Sequence, residues 1–250
     1  MQKGLFSALL QLADDHLVLG HRLSEWCGHA PMLEEDLALP NIALDLIGQA
    51  RSLYTYAGEI EGVGRDEDAL AFCRIEREYQ NLLICELPNG DFAQTILRQF
   101  YFSSFMLLFW EQTLKSSDAT VAAVAGKAIK EAKYHRRHCG EWVIRLGDGT
   151  DESARRMQAS CEILEPYLGE FFHTSYDSLE ISQSGVFPDK NTLQEPWLMD
   201  VREVFQAANL NIPDLTHAQK GGREGRHTEA MGHLLAQLQY MQRSFPNMAW

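Results

Sequence analysis

Four long stretches of this chain repeat their apolar residues every three or four positions, the period of a helix with one buried face. In the first, Leu5, Leu9, Leu12, His16, Leu19, Leu23 and Trp26 form a stripe that Gly28 is placed to stop. In the second, Leu33, Leu37, Pro40, Leu44, Ile47 and Tyr54 repeat it, with Pro40 expected to kink the helix or mark the start of its regular part. The third, Phe92 to Leu114, follows a Pro88–Asp91 turn in which Asp91 can cap. It is apolar almost all round, through Tyr101, Phe102, Phe105, Leu107, Leu108, Phe109 and Trp110, so it must be central or covered by a partner. The fourth runs from about Asp118 to Leu146 and stops at Gly147.

Further helices are expected at Asp66 to Tyr79, Glu152 to Phe172, Leu193 to Ala208 and Thr228 to Arg243, with turns at Ser182 to Pro188 and a glycine-rich loop at Lys220 to Arg226. No stretch alternates as a strand does. The reading is all-α: one ferritin-like four-helix bundle, core about 4–147, with accessory C-terminal helices about 150–250.

A net charge of −13 argues against nucleic acid or an anionic membrane as a general partner. Five scattered cysteines with no C-x-x-C spacing argue against zinc ribbons and disulfide scaffolds, and for a reducing cytoplasm. The N-terminus begins an amphipathic helix rather than an apolar signal core, and Phe100 to Trp110 is too short to span a bilayer.

In an antiparallel bundle the helix midpoints, near His16, Asp45, Ser103 and Glu131/His135, would share a layer. A di-iron centre in such a layer takes about four carboxylates and two histidines, two of the helices each giving Glu-x-x-His. Here Glu131 and His135 are four apart: if His135 fills the imidazole slot the carboxylate slot holds Ala132, and if Glu131 fills the carboxylate slot the imidazole slot holds Tyr134. The first helix offers Asp15 or His16, the second Asp45 with Gly48 at the imidazole position, and the third only Ser103 and Ser104 at mid-helix. The layer therefore reads as degenerate, a buried polar network that fixes register rather than a metal site. No catalytic residue is assigned.

Lys127, Lys130, Lys133, Arg136 and Arg137 form a basic band on the fourth helix, and Lys220, Arg223 and Arg226 punctuate the glycine-rich loop. Each group reads either as a solvated face or as a dock for an acidic partner or a phosphate-bearing ligand. His227 and His233 could approach a metal, but that spacing converges poorly on a helix and a helix start at Thr228 explains the stretch better. No nucleotide-loop or nucleophile-elbow motif occurs.

The stretches Leu23–Pro31, Glu35–Leu39, Asn41–Arg51, Gln80–Leu83, Ala128–His135 and Gly225–Glu229 together resemble the C-subunit family of the bacterial phenylacetyl-CoA ring epoxidases, with Pro40 as a local departure. The resemblance spans nearly the whole chain. It implies a ferritin-like protein of phenylacetate catabolism that pairs with a related catalytic A subunit, the holder of the di-iron centre. A small B subunit and a reductase subunit with FAD and an iron–sulfur cluster complete such an oxygenase. The chain itself is implied to be a structural partner without a cofactor of its own, which agrees with the ligand deficit read from the residues. Expected partner contacts are Trp26 in its Trp-Cys-Gly-His corner and the aromatics Phe102, Phe105, Phe109 and Trp110. The alternatives are an active di-iron oxygenase with atypical ligands such as Asp15, Asp45, Glu131 and His135, and a CoA-binding helical module. For the isolated chain, both a monomer and a self-paired dimer remain open.

Overall fold

The computed structural model describes residues 2–173, 176–216, 218–246 and 248. Its α-helices, in chain order, are α1 (Gln2–Ser24), α2 (Leu33–Glu61), α3 (Glu67–Phe72), α4 (Leu83–Glu86), α5 (Phe92–Thr113), α6 (Ala119–Gly147), α7 (Asp151–Leu168), α8 (Tyr176–Gln183), α9 (Gln194–Ala207), α10 (Glu229–Leu238) and α11 (Tyr240–Ser244). No strand occurs among the described residues. The fold is all-α and ferritin-like, as the periodicity requires. The chain forms two compact units, one of Met1–Pro88 with Lys220–Trp250 and the other of Asn89–Gln219.

The first unit is built on the antiparallel pair α1 and α2. Gly20 allows the closest approach: a Cβ there would stand 3.0 Å from Ile47 and 3.2 Å from the Ala43 carbonyl. Between the two helices, Asp36 Oδ1 accepts from the backbone N–H groups of Gly28 (2.7 Å) and Ala30 (3.3 Å), fixing the corner in which Trp26 sits. Pro40 lies inside α2 without ending it.

The expected charged helix over Asp66 to Tyr79 is shorter than its sequence pattern. Only Glu67–Phe72 is α-helical, followed by a single 3-10 turn at Glu76–Glu78. The reason is tertiary. Beyond that turn the chain is extended, and its N–H groups are spent on α1: Gln80 N donates to Asp14 Oδ2 and Leu82 N to Asp15 Oδ1, each at 2.7 Å. A continuing helix would have used those donors within itself. The last expected helix is likewise divided, into α10 and α11.

The second unit is built on α5 and α6. Asp91 caps α5 by accepting from Gln94 N at 3.0 Å, and Asp118 caps α6 from Val121 N at 3.0 Å. The two helices run antiparallel, with Phe92 against Trp142 at one end and the guanidinium of Arg136 over Phe100 farther along. The apolar girth of α5 is covered by this unit's own chain. Phe105 packs on Phe171 and Phe172 with ring centroids 5.0 and 5.8 Å apart, Phe102 on Phe171, and Phe109 on Phe187. Trp197 of α9 stacks near Tyr101 and donates its indole N–H to the Tyr101 carbonyl at 3.1 Å.

Candidate functional site

The polar interior of the first unit starts from adjacent aspartates on α1. Asp14 and Asp15 are fully buried, so each needs a cation and a full set of donors. Asp14 receives both guanidinium nitrogens of Arg74, the Tyr54 hydroxyl of α2 and the Gln80 amide. Asp15 is held by both terminal nitrogens of Arg223, at 3.0 and 2.7 Å, in addition to the Leu82 amide. Burial and the Asp14 carboxylate beside it push the Tyr54 hydroxyl far above its ordinary range. Burial works against the charge on Arg74, but Asp14 and Tyr54 outweigh it and hold the guanidinium pKa above its usual value.

A third buried carboxylate, Glu86 of α4, ties the C-terminal arm to the same interior. Its oxygens meet His227 Nδ1 at 2.7 Å, the Asn81 amide at 2.8 Å and the Thr228 backbone N–H at 2.5 Å. Desolvation would lower the His227 pKa, yet the hydrogen bond and charge of Glu86 raise it overall. Thr228 does stand at the start of α10, but its backbone rather than its hydroxyl is satisfied, by Glu86. The glycines of the preceding loop serve close packing: a Cβ at Gly222 would lie 2.0 Å from the Asn81 carbonyl, and Gly225, at φ +69°, would meet the Arg77 carbonyl at 2.2 Å.

These contacts account for several residues singled out in the sequence. Arg223 is an internal counter-ion of Asp15, and Arg226 pairs with Glu224, so the loop does not present three free cations as a phosphate cradle would. Lys220 is exposed. His16 is buried with Nδ1 2.6 Å from the Leu12 carbonyl of its own helix. Asp45 and Gly48 lie on α2 in half-buried positions, where a Cβ at Gly48 would meet nothing. The midpoint register fails for this pair. Asp14 meets Tyr54, and Gly20 rather than His16 reaches the turn of α2 that holds Asp45.

In the second unit, Ser103 is buried and donates to the Gln99 carbonyl of its own helix at 2.7 Å. Ser104 is buried beside it. His135 is buried on α6, while Glu131 turns toward Lys127, 3.8 Å away. Phe102, Phe105, Phe109 and Trp110 are at most 1% exposed, so the expectation that they meet a partner is corrected: this chain's own aromatics fill that role. Trp26 is half-buried at the corner before α2.

A surface face that the stripe pattern had marked for burial is open instead. Leu33, Leu37 and Leu44 of α2 are 70%, 59% and 66% exposed, and Ile47, which packs on α1 at Gly20, borders them. An unpaired apolar stripe of this length is unusual on a monomer.

The residues do not fit a di-iron centre. The carboxylates of α1 are saturated by arginines and amides, and no three His, Cys, Asp or Glu side chains among the described residues gather as a metal site. Sequence reading missed Asp14, Arg74, Tyr54 and Glu86, the first because its neighbour Asp15 sits equally well at mid-helix. A buried acid beside a sequence-distant arginine has no local signature.

All of the chain, residues 1–250, matches the model of a family described as phenylacetic acid catabolic protein. The chain belongs to that family. The C subunit of the 1,2-phenylacetyl-CoA epoxidase of Escherichia coli (strain K12) is 45% identical over 241 residues, covering 96% of this chain and 97% of that one. Among the described residues, no helix is long and apolar enough to cross a membrane.

Proposed function

We propose that this chain belongs to a phenylacetyl-CoA epoxidase complex, where it acts as a structural partner of the metal-bearing A subunit and does no chemistry itself. The observation that carries the reading is the saturation of Asp14 and Asp15 by Arg74 and Arg223. Two carboxylates that could have faced a metal are neutralised by the protein, and the helix that should give Glu-x-x-His gives a lysine-paired Glu131 out of step with His135. Similarity to the C subunit of the Escherichia coli epoxidase supports membership of such a complex.

The pairing surface in this reading is the α2 stripe of Leu33, Leu37, Leu44 and Ile47, whose spacing suits the groove of another long helix. A member of a complex needs a neighbour, and in this reading the long helices of a related A subunit supply it. Oxygen-activating iron requires ligands held to a fraction of an ångström by a supporting shell, which an inert bundle can brace.

The test is coexpression with the A subunit, measuring co-elution and iron per chain. The wild-type chain should co-elute and hold essentially no iron when purified alone. The double substitution Leu37→Asp/Leu44→Asp should abolish co-elution while leaving the unfolding temperature of the isolated chain unchanged, because both side chains are already in water. One or two irons in the isolated chain would sink the structural reading. Intact co-elution of the double variant would sink the interface.

A further inference from the structure

A small hole opens in the surface of the first unit, beside the exposed face of α2. Its volume is about 100 Å³. Ile47, Ala50 and Tyr54 of α2, Leu17 of α1, and Ala71 and Phe72 of α3 form its wall. The wall is apolar, because the Tyr54 hydroxyl is spent on Asp14 and its ring is what remains to line the space. Alanine at positions 50 and 71 leaves that space unfilled. The rim is charged unevenly. Arg51 Nε donates to Glu67 at 3.2 Å, so the arginine at the mouth already has its carboxylate. Asp68, also at the mouth, is exposed and makes no ion pair among the described residues.

Size narrows the occupant. Small-molecule sites run from roughly 300 to 1,000 Å³, so the hole is too small for a cofactor or a metabolite. An apolar space of about 150 Å³ takes one benzene, so about 100 Å³ suits a single branched aliphatic side chain. Position narrows it further. Ile47 belongs to the wall and also borders the stripe of Leu33, Leu37 and Leu44, so a helix lying on that stripe reaches the mouth. Protein interfaces gain most from a few anchor side chains that fill pockets of this kind. Charge completes the description: an unanswered Asp68 beside the hole complements a cation next to the anchor. We propose that the hole between α2 and α3 receives a valine, leucine or isoleucine side chain of the protein that covers the α2 stripe, with a lysine or arginine of the same protein on Asp68. This rests on the reading of α2 as the pairing face, and adds the site at which the partner's own sequence is recognised.

The experiment is calorimetric titration of the full chain with the A subunit of the complex, at low and high salt. Ala71→Leu, which fills the hole from α3, should weaken binding by about tenfold or more, the scale of shutting out one branched side chain. Ala50→Val narrows the hole from α2 and should weaken binding in the same direction. It carries the test if circular dichroism shows that Ala71→Leu does not fold. Asp68→Lys should weaken binding at low salt and do so less at high salt. Glu162→Lys, the same charge change at an exposed position of the second unit, should leave the affinity at the wild-type value. Wild-type affinity in the folded hole-filling variants, with no binding by Leu37→Asp/Leu44→Asp, would overturn the anchor and leave the α2 reading standing. Full binding by Leu37→Asp/Leu44→Asp would overturn both. Equal losses in Asp68→Lys and Glu162→Lys would overturn the ion pair on Asp68. An isolated chain that self-associates, and that the hole-filling variants turn into a monomer, would put a second copy of this chain in the hole and overturn the proposed partner.

Discussion

The two units of this protein solve the problem of a helical interior with opposite chemistry. In the first, the space beside α1 is filled by buried carboxylates and the cations that answer them: Asp14 with Arg74, Asp15 with Arg223, Glu86 with His227. In the second, the space around α5 is filled by rings, with Tyr101, Phe102, Phe105 and Phe109 against Phe171, Phe172, Phe187 and Trp197. The polar interior specifies partners one by one, because each charge left alone is expensive. The aromatic interior tolerates its neighbours by shape and gains from burial area. The first kind keeps its buried carboxylates and answers each with a cationic or imidazole partner from the same unit. In the second, α5 carries no acid at mid-helix.

The largest effect should come from breaking the polar side of this contrast. Arg74→Met leaves Asp14 as an unpaired buried charge and should cost about 3–5 kcal/mol in urea unfolding. The double variant Asp14→Leu/Arg74→Met, which removes both charges, should recover most of that loss. A double variant no more stable than Arg74→Met would show that the pair is held by more than its charges.

A comparable loss is expected on the aromatic side, but without rescue by any partner change. Trp197→Ala opens a cavity and removes the indole hydrogen bond to the Tyr101 carbonyl, at about 3–5 kcal/mol in the same assay. Phe105→Leu, which keeps most of the volume, should cost about 1–1.5 kcal/mol.

A smaller, local effect is expected from Asp15→Asn. It removes the charge that anchors Arg223 and should loosen the Lys220–Arg226 loop, read as faster proteolytic cleavage there with most of the global stability kept. Cleavage at the wild-type rate would show that Glu86 and the close glycine packing suffice to hold the arm.

The smallest effect is a pH dependence confined to the polar unit. His227 has a native pKa raised by Glu86 above the ordinary histidine value. The folded state therefore binds its proton more tightly than the unfolded chain does. The resulting stability is fully present below the ordinary histidine pKa and is lost as pH rises through the raised native one. Thermal unfolding followed from mildly acidic to mildly alkaline pH should show this decline, and His227→Gln should flatten it.

Legibility in the sequence followed the range of the interaction. The lengths of α1, α2, α5 and α6 and the cap at Asp91 were readable, since a helical stripe and its cap are settled within a turn of chain. The spacing of Glu131 and His135, four apart with Ala132 and Tyr134 between them, was readable for the same reason. The identity of the counter-ions was not. Arg74 lies 60 residues from Asp14 and Arg223 lies 208 from Asp15.

What the sequence determined by itself, then, was an all-α chain of long amphipathic helices whose metal-binding pattern is out of step. Only the tertiary structure decided which apolar face is covered and which is open. Phe102, Phe105 and Phe109 looked like a surface for another protein and are covered by Phe171 and Phe187, far along the same chain, while Leu37 and Leu44 looked like core and stand in water. The physical reason is that a stripe encodes a need for burial but not the identity of what buries it. That identity depends on where the rest of the chain can reach, and for α2 the proposed answer lies on a partner protein.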